Sequence, residues 1–594
     1  MADTKAAISK SSDMSPDGAK LYETHCAVCH EGGVQKAPHK MFLEMMPTAS
    51  IHSAMQNGLM QQQASRLSDK ERLAIAEYLS GTTLAASLAV PEPRQCASKE
   101  NKFDLGQGVV ASGWGFDSRN TRSQPQQPGG LTAADLPDLE LAWVFAYPGA
   151  LRARSQPAVF GNTVFVGSQD GALYALDLGS GCMHWKIDVG AEIRTAIVAK
   201  EGPIPTLFFG DLLARAYAVN ATSGEILWST KADSHPNATI TGTPSLVEDK
   251  LIVPVSSLEV TSAAAPDYPC CSFRGSLLAL SIHDGSEVWR SYTIENAPKQ
   301  HSKTAVGTPV LGPSGAPIWN SPTIDLKRRQ IYSGTGENYS SPADHNSDAI
   351  IAVNIDTGER VWTYQATRGD AWNVACMLED KSNCPIEDGP DYDFGSSAIL
   401  VNAGDTQVLV AGQKSGTVHG INPDTGQSLW RTQIGRGGIQ GGIHFGMAAA
   451  SGKVYVPISD MDTGAEYTSA AEPGISAVNA LDGSIMWTSP ANNVCRGREF
   501  CEPGISAAVT AIPGAVIAGH MDGRLRTYAA DTGHVLWEYD TARRFDDEAG
   551  TTAFGGSIGG AGPVVANGYL LSNSGYGVYF HMPGNVLLAF KTAK

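Results

Sequence analysis

No stretch of the sequence is apolar over the length that a membrane-spanning helix needs, which argues against an integral helical membrane protein. Basic residues are also too few to balance the acidic ones. There are 43 Lys and Arg against 60 Asp and Glu, a formal net charge of −17. A chain with this excess of negative charge repels a phosphate backbone, so nucleic acid is not an expected partner.

Charged residues of both signs are scarce, at 17% of the chain, whereas glycine is abundant, with 64 residues. This composition suits a β-protein that is rich in turns. A chain of 594 residues is too long for one ordinary hydrophobic core. We therefore expect either two or more domains or one large repeat fold.

One short motif near the start carries cofactor chemistry. The segment CAVCH, residues 26–30, has two cysteines separated by two residues and followed by a histidine. This spacing is the attachment site of a c-type haem, in which both thiols anchor the porphyrin and the imidazole binds the iron. A zinc site would need a second ligand pair nearby, and a redox dithiol would need a βαβ context. Neither is present, so the motif predicts haem c on Cys26, Cys29 and His30.

The surrounding residues have the pattern of a small helical cytochrome domain over residues 12–82. Residues 17–30 have the spacing of a helix that leads into the motif. A last helix begins after Ser68, which forms a capping box with Glu71, and Gly81 is a plausible stop.

A haem that carries electrons usually takes a second axial ligand, and methionine raises its potential. Small c-type cytochromes, which this segment resembles, place that methionine before the last helix. Met60 is therefore the predicted ligand, with Met46 as its rival.

Ten cysteines, two of them used by haem, leave an even set of eight. The expected pairs are Cys376 with Cys384, Cys495 with Cys501, Cys96 with Cys182, and the adjacent Cys270 and Cys271. Such a set fits an oxidising compartment. The opening MADTKAAISK is no signal peptide, yet covalent haem attachment takes place outside the cytoplasm. We therefore expect a periplasmic protein whose leader has been removed.

The rest of the chain repeats one phrase: an apolar strand, an Asp/Asn–Gly turn, a second apolar strand and a tryptophan, as in IAVNIDTGERVW. The turn supplies the positive φ of a tight hairpin. The phrase ends at Trp185, Trp228, Trp289, Trp362, Trp430, Trp487 and Trp537. Trp143, in LELAWVF, lies in a similar apolar strand, but no such turn precedes it.

Radial repetition of four-stranded units gives a β-propeller. The eight repeated tryptophans predict eight blades over residues 104–594, after a linker at 83–103; seven blades with one extra tryptophan are the alternative. Each repeated tryptophan should lock its blade to the next. Trp114, Trp319 and Trp372 stand outside the phrase and are candidates for function.

The repeated phrase, the blade count and the fused cytochrome resemble the quinohaemoprotein alcohol dehydrogenases. Those enzymes carry pyrroloquinoline quinone (PQQ) and calcium on the propeller axis. The N-terminal position of the haem domain looks like that of the polyvinyl-alcohol dehydrogenases. In TITGTPSLVEDKLIVPVSSLEV the resemblance implies that Thr241 and Ser256 contact the quinone and that Glu259 binds calcium.

Two further segments extend the resemblance. In APIWNSPTIDLKRRQIYSGTGENYSSP, Trp319 matches the tryptophan on which the quinone stacks. Glu337 takes the aligned position of a calcium ligand, with Asn338 one residue later. Lys414, in GQKSGTVHGINPDTG, matches the basic residue beside the quinone carbonyls, and Arg194, in EIRTA, matches an arginine that contacts the quinone. A flat, anionic quinone needs such an aromatic platform, cations and a hard metal ion with oxygen ligands.

Two positions depart from the family. Its general base is an Asp directly after a Trp, but Trp372 is followed by Asn373, and the nearest carboxylate is Asp370. We expect Asp370 to be the base, with Asn373 as a calcium or quinone ligand, unless the base lies elsewhere. The pair Cys270–Cys271 lies in a different blade from the family's vicinal disulfide, so it either covers the quinone or closes an insertion.

The resemblance implies a dehydrogenase that oxidises secondary alcohol groups, in particular those of polyvinyl alcohol, to ketones. Electrons pass from PQQ to the haem c and then to an external cytochrome. A polymer substrate would require an open cleft over the propeller axis. A dehydrogenase of small primary or secondary alcohols is the alternative within the class. A propeller scaffold without enzymatic activity, tethered to a cytochrome, is the alternative outside it.

Overall fold

The computed structural model of the chain describes residues 16–31, 34, 37–87, 92–97, 102–463, 467, 469–546 and 552–593. Eight antiparallel sheets of four main strands make up the larger part, which confirms the predicted eight-bladed propeller. We number the blades 1 to 8 in chain order. The predicted domain start at residue 12 and parts of the predicted linker, 88–91 and 98–101, lie outside the described residues.

The strands of each blade follow in sheet order. Blade 1 consists of Ala158–Phe160, Thr163–Gly167, Ala172–Asp177 and Met183–Asp188, and blade 2 of Val198–Lys200, Thr206–Gly210, Arg215–Asn220 and Ile226–Lys231. Blade 3 consists of Ser245–Val247, Lys250–Ser257, Ser276–Ser281 and Glu287–Tyr292, and blade 4 of Thr323–Asp325, Gln330–Gly334, Ala349–Asn354 and Arg360–Gln365. Blade 5 consists of Ile399–Ala403, Thr406–Gly412, Thr417–Ile421 and Ser428–Gln433, and blade 6 of Ala448–Ala450, Lys453–Ile458, Gly474–Asn479 and Ile485–Pro490. Blade 7 consists of Thr510–Ile512, Ala515–Gly519, Arg524–Ala529 and Val535–Asp540.

Blade 8 closes the ring with strands from both parts of the propeller sequence. It is built from Val564–Ala566, Tyr569–Ser574, Val586–Thr592 and Leu139–Ala146. The earliest of these strands, Leu139–Ala146, pairs antiparallel with the last, Val586–Thr592. This pairing joins the two ends of the propeller sequence within a single blade and so closes the ring.

Shorter elements decorate the propeller. They are the strands Val109–Ala111, beside blade 1, and Ala238–Thr239, in blade 3; the hairpins Lys299–Lys303 with Pro309–Gly312, Ser314–Gly315 with Asn338–Ser340, and Arg544–Phe545 with Ala553–Phe554; and the single helical turns Gln126–Gly129, Leu136–Asp138, Glu259–Ser262 and Val374–Met377.

The repeated tryptophans hold neighbouring blades together, as predicted. Trp289 donates a hydrogen bond from Nε1 to the carbonyl oxygen of Ile355 in blade 4, at 3.0 Å. Gly358, whose φ is +74°, packs on the same indole, and a Cβ there would lie 2.6 Å from its Cε3. Glycine is required twice here, by the positive φ and by the close approach. The contact recurs for Gly181, Gly224, Gly285, Gly426, Gly483 and Gly533 against Trp143, Trp185, Trp228, Trp362, Trp430 and Trp487.

The N-terminal domain is helical. Its helices are Gly18–His25, Ala27–His30, Lys40–Leu43, Thr48–Gln56, Asp69–Ser80 and Leu84–Ser87. The predicted capping box between Ser68 and Glu71 is present, and Gly81 ends that helix in the left-handed conformation. The helix expected over residues 17–30 is instead two helices that are interrupted at Cys26. No described helix combines the length and the apolar character needed to cross a membrane.

The helical domain docks on the propeller through apolar contacts. Val34, which is only 1% exposed, belongs to a cluster of propeller side chains that includes Phe273 and Val374. Phe42 meets Phe500 edge-on, with ring centroids 5.1 Å apart. All four expected disulfides are present, and Cys96–Cys182 ties the segment 92–97 to blade 1.

Candidate active site

A cavity forms where the connections of successive blades converge. It encloses about 820 Å³ of empty space, with the solvent at its mouth included. Six of the predicted cofactor and metal residues line it together: Arg194, Thr241, Ser256, Trp319, Glu337 and Lys414. They come from six different blade connections and strands, so only the closed ring brings them together.

Trp319 is held rigidly in this cavity. Its Nε1 donates a hydrogen bond to Asp393 Oδ2 at 2.9 Å. The far edge of the indole lies against Gly395, where a Cβ would come within 1.8 Å of Cη2. The absence of a side chain at Gly395 therefore makes room for the indole. A fixed, half-buried indole of this kind is a suitable platform for a flat aromatic group.

Polar groups in the cavity lack partners and favour an anionic ligand. Arg194 makes no hydrogen bond or ion pair with any described residue, and its guanidinium lies over the Phe445 ring at 5.4 Å. Burial lowers the pKa of Arg194, because its charge is poorly solvated. The hydroxyls of Thr239 and Thr241 are buried without a partner in the described chain. A ligand with carboxylates and carbonyls would satisfy all three groups.

Three buried carboxylates meet beside Lys414. Oxygens of Glu337, Asp391 and Asp393 lie within 4.8 Å of one another. Lys414 Nζ is 2.7 Å from Asp391 Oδ1 and 3.5 Å from Asp393 Oδ2. Burial alone would lower the pKa of Lys414, but these three carboxylates together raise it above its ordinary value. One ammonium does not neutralise three carboxylates, so the cluster suits a hard divalent cation with oxygen ligands.

The structure does not bring three other predicted residues into this cavity. Glu259 is fully buried and accepts hydrogen bonds from the backbone N–H groups of Ser272 and Phe273. Asn373 Nδ2 donates to the carbonyls of Tyr339 and Asn383.

Asp370, the third, accepts hydrogen bonds from the backbone N–H groups of Asp391 and Tyr392, at 3.3 and 2.9 Å. It therefore lies behind the carboxylate cluster and fixes the segment that supplies it. Asn338 also lies outside the cluster, because its side chain bonds to the backbone of Ser314 and Asp344.

The vicinal disulfide Cys270–Cys271 is buried in the apolar cluster behind the cavity wall and is not among the lining residues. The pair is bonded to the hairpin formed by Lys299–Lys303 and Pro309–Gly312. Cys270 O accepts a hydrogen bond from Leu311 N, and Cys271 N donates one to Leu311 O. The pair lies within the insertion between Ser257 and Ser276, which these two hydrogen bonds hold against the strand Pro309–Gly312.

The CAVCH motif lies between the helical domain and the propeller. His30 Nδ1 bonds to the Pro38 carbonyl at 2.7 Å, which leaves Nε2 for a metal. Cys26 packs on the core of the helical domain, and so do Met46 and Met60. Cys29 packs on the propeller cluster that contains Trp372 and Val374.

Comparison with known proteins assigns the family. A family model described as outer membrane protein assembly factor BamB matches residues 127–336, 310–457 and 346–589. A model described as cytochrome C oxidase, cbb3-type, subunit III, matches residues 14–79. A polyvinylalcohol dehydrogenase of Pseudomonas sp is 37% identical over 97% of this chain and 93% of its own. This chain belongs to the polyvinylalcohol dehydrogenases.

Other relatives agree. A polyvinylalcohol dehydrogenase of Sphingopyxis sp. (strain 113P3) is 34% identical over 94% of this chain and 89% of its own. The solved quinohemoprotein alcohol dehydrogenase ADHIIG from Pseudomonas putida HK5 has the same fold, with a TM-score of 0.60 at 20% identity over 82% of this chain and 81% of its own. The predicted enzyme class, a PQQ-dependent dehydrogenase with a haem c, is thereby confirmed.

Sequence reasoning missed Asp391 and Asp393. Both lie in the segment DYDFG, about twenty residues before Lys414. Alternate residues of an extended segment point to the same side, so two carboxylates two apart were the available signal. It was hidden because the segment belongs to a long insertion between blades 4 and 5 that has no repeated phrase. His444 and Phe445 also line the cavity. They were missed because they lie in the connection between blades 5 and 6, which likewise has no repeated phrase.

We expect Met60 to be the second haem ligand, and replacing it tests this. Met60→Leu should abolish the six-coordinate low-spin spectrum and lower the haem potential by a measurable part of the ~0.8 V range that axial ligands set. Met46→Leu is the control, because Met46 Sδ lies 4.0 Å from Gln169 Nε2 of the propeller. Absorption spectra and redox titrations of both variants distinguish the two methionines. Loss of the six-coordinate low-spin spectrum in Met46→Leu alone would assign Met46 as the ligand.

Proposed function

We propose that this protein oxidises secondary alcohol groups of polyvinyl alcohol to ketones and passes the electrons to its own haem c, then to an external cytochrome in the periplasm. Each carbinol group yields one ketone, two protons and two electrons, and the haem carries the electrons away one at a time. The names of the relatives support the polymer substrate. Haem attachment and the four disulfides support an oxidising compartment.

The observation that carries the electron route is the contact between the haem motif and the wall of the cavity. Cys29 packs on an apolar cluster whose members Val260, Trp372 and Val374 also line the cavity. Val34, a few residues further along, is buried in the same cluster. A porphyrin bound to Cys29 would therefore lie next to that wall, without a third protein between donor and acceptor.

The cavity residues fit a quinone and a divalent cation. Trp319 would support the flat ring, while Arg194 and the two threonines Thr239 and Thr241 would bind its polar edge. Glu337, Asp391 and Asp393 would hold calcium, the cation typical of this family. When bound, the quinone supplies a two-electron acceptor and the cation a Lewis acid.

A carboxylate must take the proton of the alcohol hydroxyl, and two candidates differ in position. Asp370 was the sequence prediction, but it is fully buried and serves the backbone of the DYDFG segment. Asp393 lines the cavity and faces Trp319. A base must reach the proton that it removes, so we propose Asp393 for this role.

The mouth of the cavity bears on the choice of substrate. The lining residue Met377 is 41% exposed, so the cavity opens to solvent beside the helical turn Val374–Met377. Val34 of the helical domain belongs to the same apolar cluster as Trp372 and Val374, which line the cavity. A polymer would have to present one carbinol at this opening.

The test is the visible spectrum of the oxidised haem protein reconstituted with PQQ and calcium. We expect polyvinyl alcohol to reduce the haem only when quinone, calcium and polymer are all present. Reduction by short secondary alcohols alone would leave the fold and cofactors in place and overturn the polymer substrate. Failure of every alcohol would favour the scaffold alternative.

A docking variant tests the electron route separately. Val34→Asp would bury an unpaired carboxylate, at a cost of about 3–5 kcal/mol, and should undock the helical domain. We expect haem reduction by substrate to slow at least tenfold, because a loss of docking free energy of about 1.4 kcal/mol already corresponds to a factor of ten. Reduction of a soluble dye by the quinone site should continue. Val28→Asp is the matched control, since Val28 is 66% exposed on the same motif. Equal rates in both variants would contradict a direct route.

A further inference from the structure

His444 is a cavity residue to which neither the repeat pattern nor the predicted cofactor set gave a role. It lies in the connection between blades 5 and 6 and lines the same cavity as Trp319 and Lys414. Only 9% of the residue is exposed. Its ring is 5.7 Å from the Trp319 ring, centroid to centroid, at an interplanar angle of 82°. Phe445 packs against both rings, with its centroid 4.4 Å from that of His444 and 5.8 Å from that of Trp319.

The two ring nitrogens of His444 have different surroundings. Nδ1 shares a hydrogen bond of 2.8 Å with the hydroxyl of Ser506. Nε2 has no hydrogen-bond partner anywhere in the described chain. Because His444 lines the cavity, this unpartnered nitrogen is open to a ligand or a water there.

The charges around His444 keep it neutral. Burial lowers its pKa most, and Lys414, His581 and Arg194 lower it further, whereas Asp393 acts in the opposite direction. The net pKa lies well below the ordinary range, so the ring has one donor and one acceptor nitrogen at neutral pH. The Ser506 hydroxyl can accept from Nδ1 or donate to it, so it holds the orientation of the ring in either tautomer, and Nε2 offers the opposite role to the cavity.

We propose that His444 binds the edge of the quinone cofactor through Nε2, and that Ser506 is the positioning residue that fixes the imidazole. This inference rests on the proposed function, because it assumes that a quinone stacks on Trp319. Any flat ligand on that indole lies beside the ring of His444 and near Lys414. Nε2 then makes a neutral hydrogen bond to the same ligand that Lys414 contacts as a cation.

Quinone binding to the apoprotein is the measurement, followed by quenching of tryptophan fluorescence. His444→Phe keeps an aromatic ring but removes Nε2, and we expect the Kd for PQQ to rise about three- to tenfold, the value of one hydrogen bond. His444→Gln, whose amide nitrogen reaches the position of Nε2, should recover most of this loss. Ser506→Ala should give a smaller rise, because the ring stays in place but loses its fixed orientation.

The control is the same substitution at a buried histidine outside the cavity. His520 bonds to the Pro503 carbonyl and the Tyr528 hydroxyl and does not line the cavity. His520→Phe should lower the melting temperature and leave the Kd for PQQ unchanged. A second readout is the midpoint potential of the bound quinone, which should fall in His444→Phe if Nε2 donates to a carbonyl, since the donor stabilises the reduced form.

The outcomes separate the two proposals. If the unmodified protein binds no PQQ, the proposed function fails. If it binds PQQ and His444→Phe binds it equally well with an unchanged potential, only the role of His444 is overturned. A rise in Kd in His444→Phe that His444→Gln does not recover would point to packing and would also overturn the hydrogen bond.

Discussion

Asp393→Asn should lower the turnover of alcohol by about 10²–10⁴-fold, the contribution typical of a general base. Asn keeps the size of the side chain and can still accept the hydrogen bond from Trp319 Nε1, so the platform should remain in place. It loses the ability to take a proton and also one of the three charges of the carboxylate cluster, so turnover is compared at saturating calcium. The measurement is stopped-flow reduction of the haem by alcohol, with the PQQ content of each sample determined from its absorbance.

Asp370→Asn is the comparison that decides which carboxylate acts. Asp370 accepts backbone hydrogen bonds from Asp391 and Tyr392, and one carbonyl oxygen of Asn can still accept one of them. Asp348 lies next to it, and burial together with the charge of Asp370 raises the pKa of Asp348 well above its ordinary value. We expect Asp370→Asn to lower the free energy of unfolding and to retain turnover. The reverse result, an inactive Asp370→Asn and an active Asp393→Asn with quinone bound, would restore the prediction made from the sequence.

Removal of the divalent cation should abolish activity, and Glu337→Gln should weaken cation binding by at least about 10–100-fold, the loss seen even for residues one layer beyond the ligands. Without a cation, the carboxylates of Glu337, Asp391 and Asp393 repel one another, and the single positive charge of Lys414 offsets part of this repulsion. Glu337→Gln keeps an oxygen ligand but removes one charge, and charge count sets affinity for calcium.

Calorimetry of calcium binding and turnover after chelation test this prediction. Activity should return when calcium is restored to the unmodified protein, and only at much higher calcium in Glu337→Gln. Asn338→Asp is the matched control at the neighbouring position, whose side chain bonds to backbone outside the cluster. Unchanged calcium affinity in Glu337→Gln, or a larger loss on changing Asn338, would contradict the assignment.

The propeller was predictable because its information is local and repeated. Each phrase contains its own strands, turn and tryptophan, and the contact of Gly358 with Trp289 shows why both residues recur. The haem motif was predictable for a similar reason, since five adjacent residues contain its chemistry. Trp319 and Lys414 were found because their segments resemble the motifs of the quinohaemoprotein alcohol dehydrogenases.

The remaining site residues depend on contacts that the sequence does not encode locally. Asp391 and Asp393 reach Lys414 and Glu337 across an irregular insertion, and no periodicity marks their position. Glu259 was expected at the metal, yet the insertion that carries Cys270 and Cys271 folds back and uses its carboxylate for two backbone N–H groups. Tertiary folding of long insertions decided both cases.

The pairing of Leu139–Ala146 with Val586–Thr592 has a consequence for biogenesis. The haem motif is complete within the first thirty residues, whereas the ring closes only when the chain has been made as far as its final strand. The cavity draws residues from connections spread between Arg194 and Tyr579, so it does not exist before closure. Loading of the quinone therefore requires a chain whose ring has closed, whereas the five residues of the haem motif do not depend on that closure.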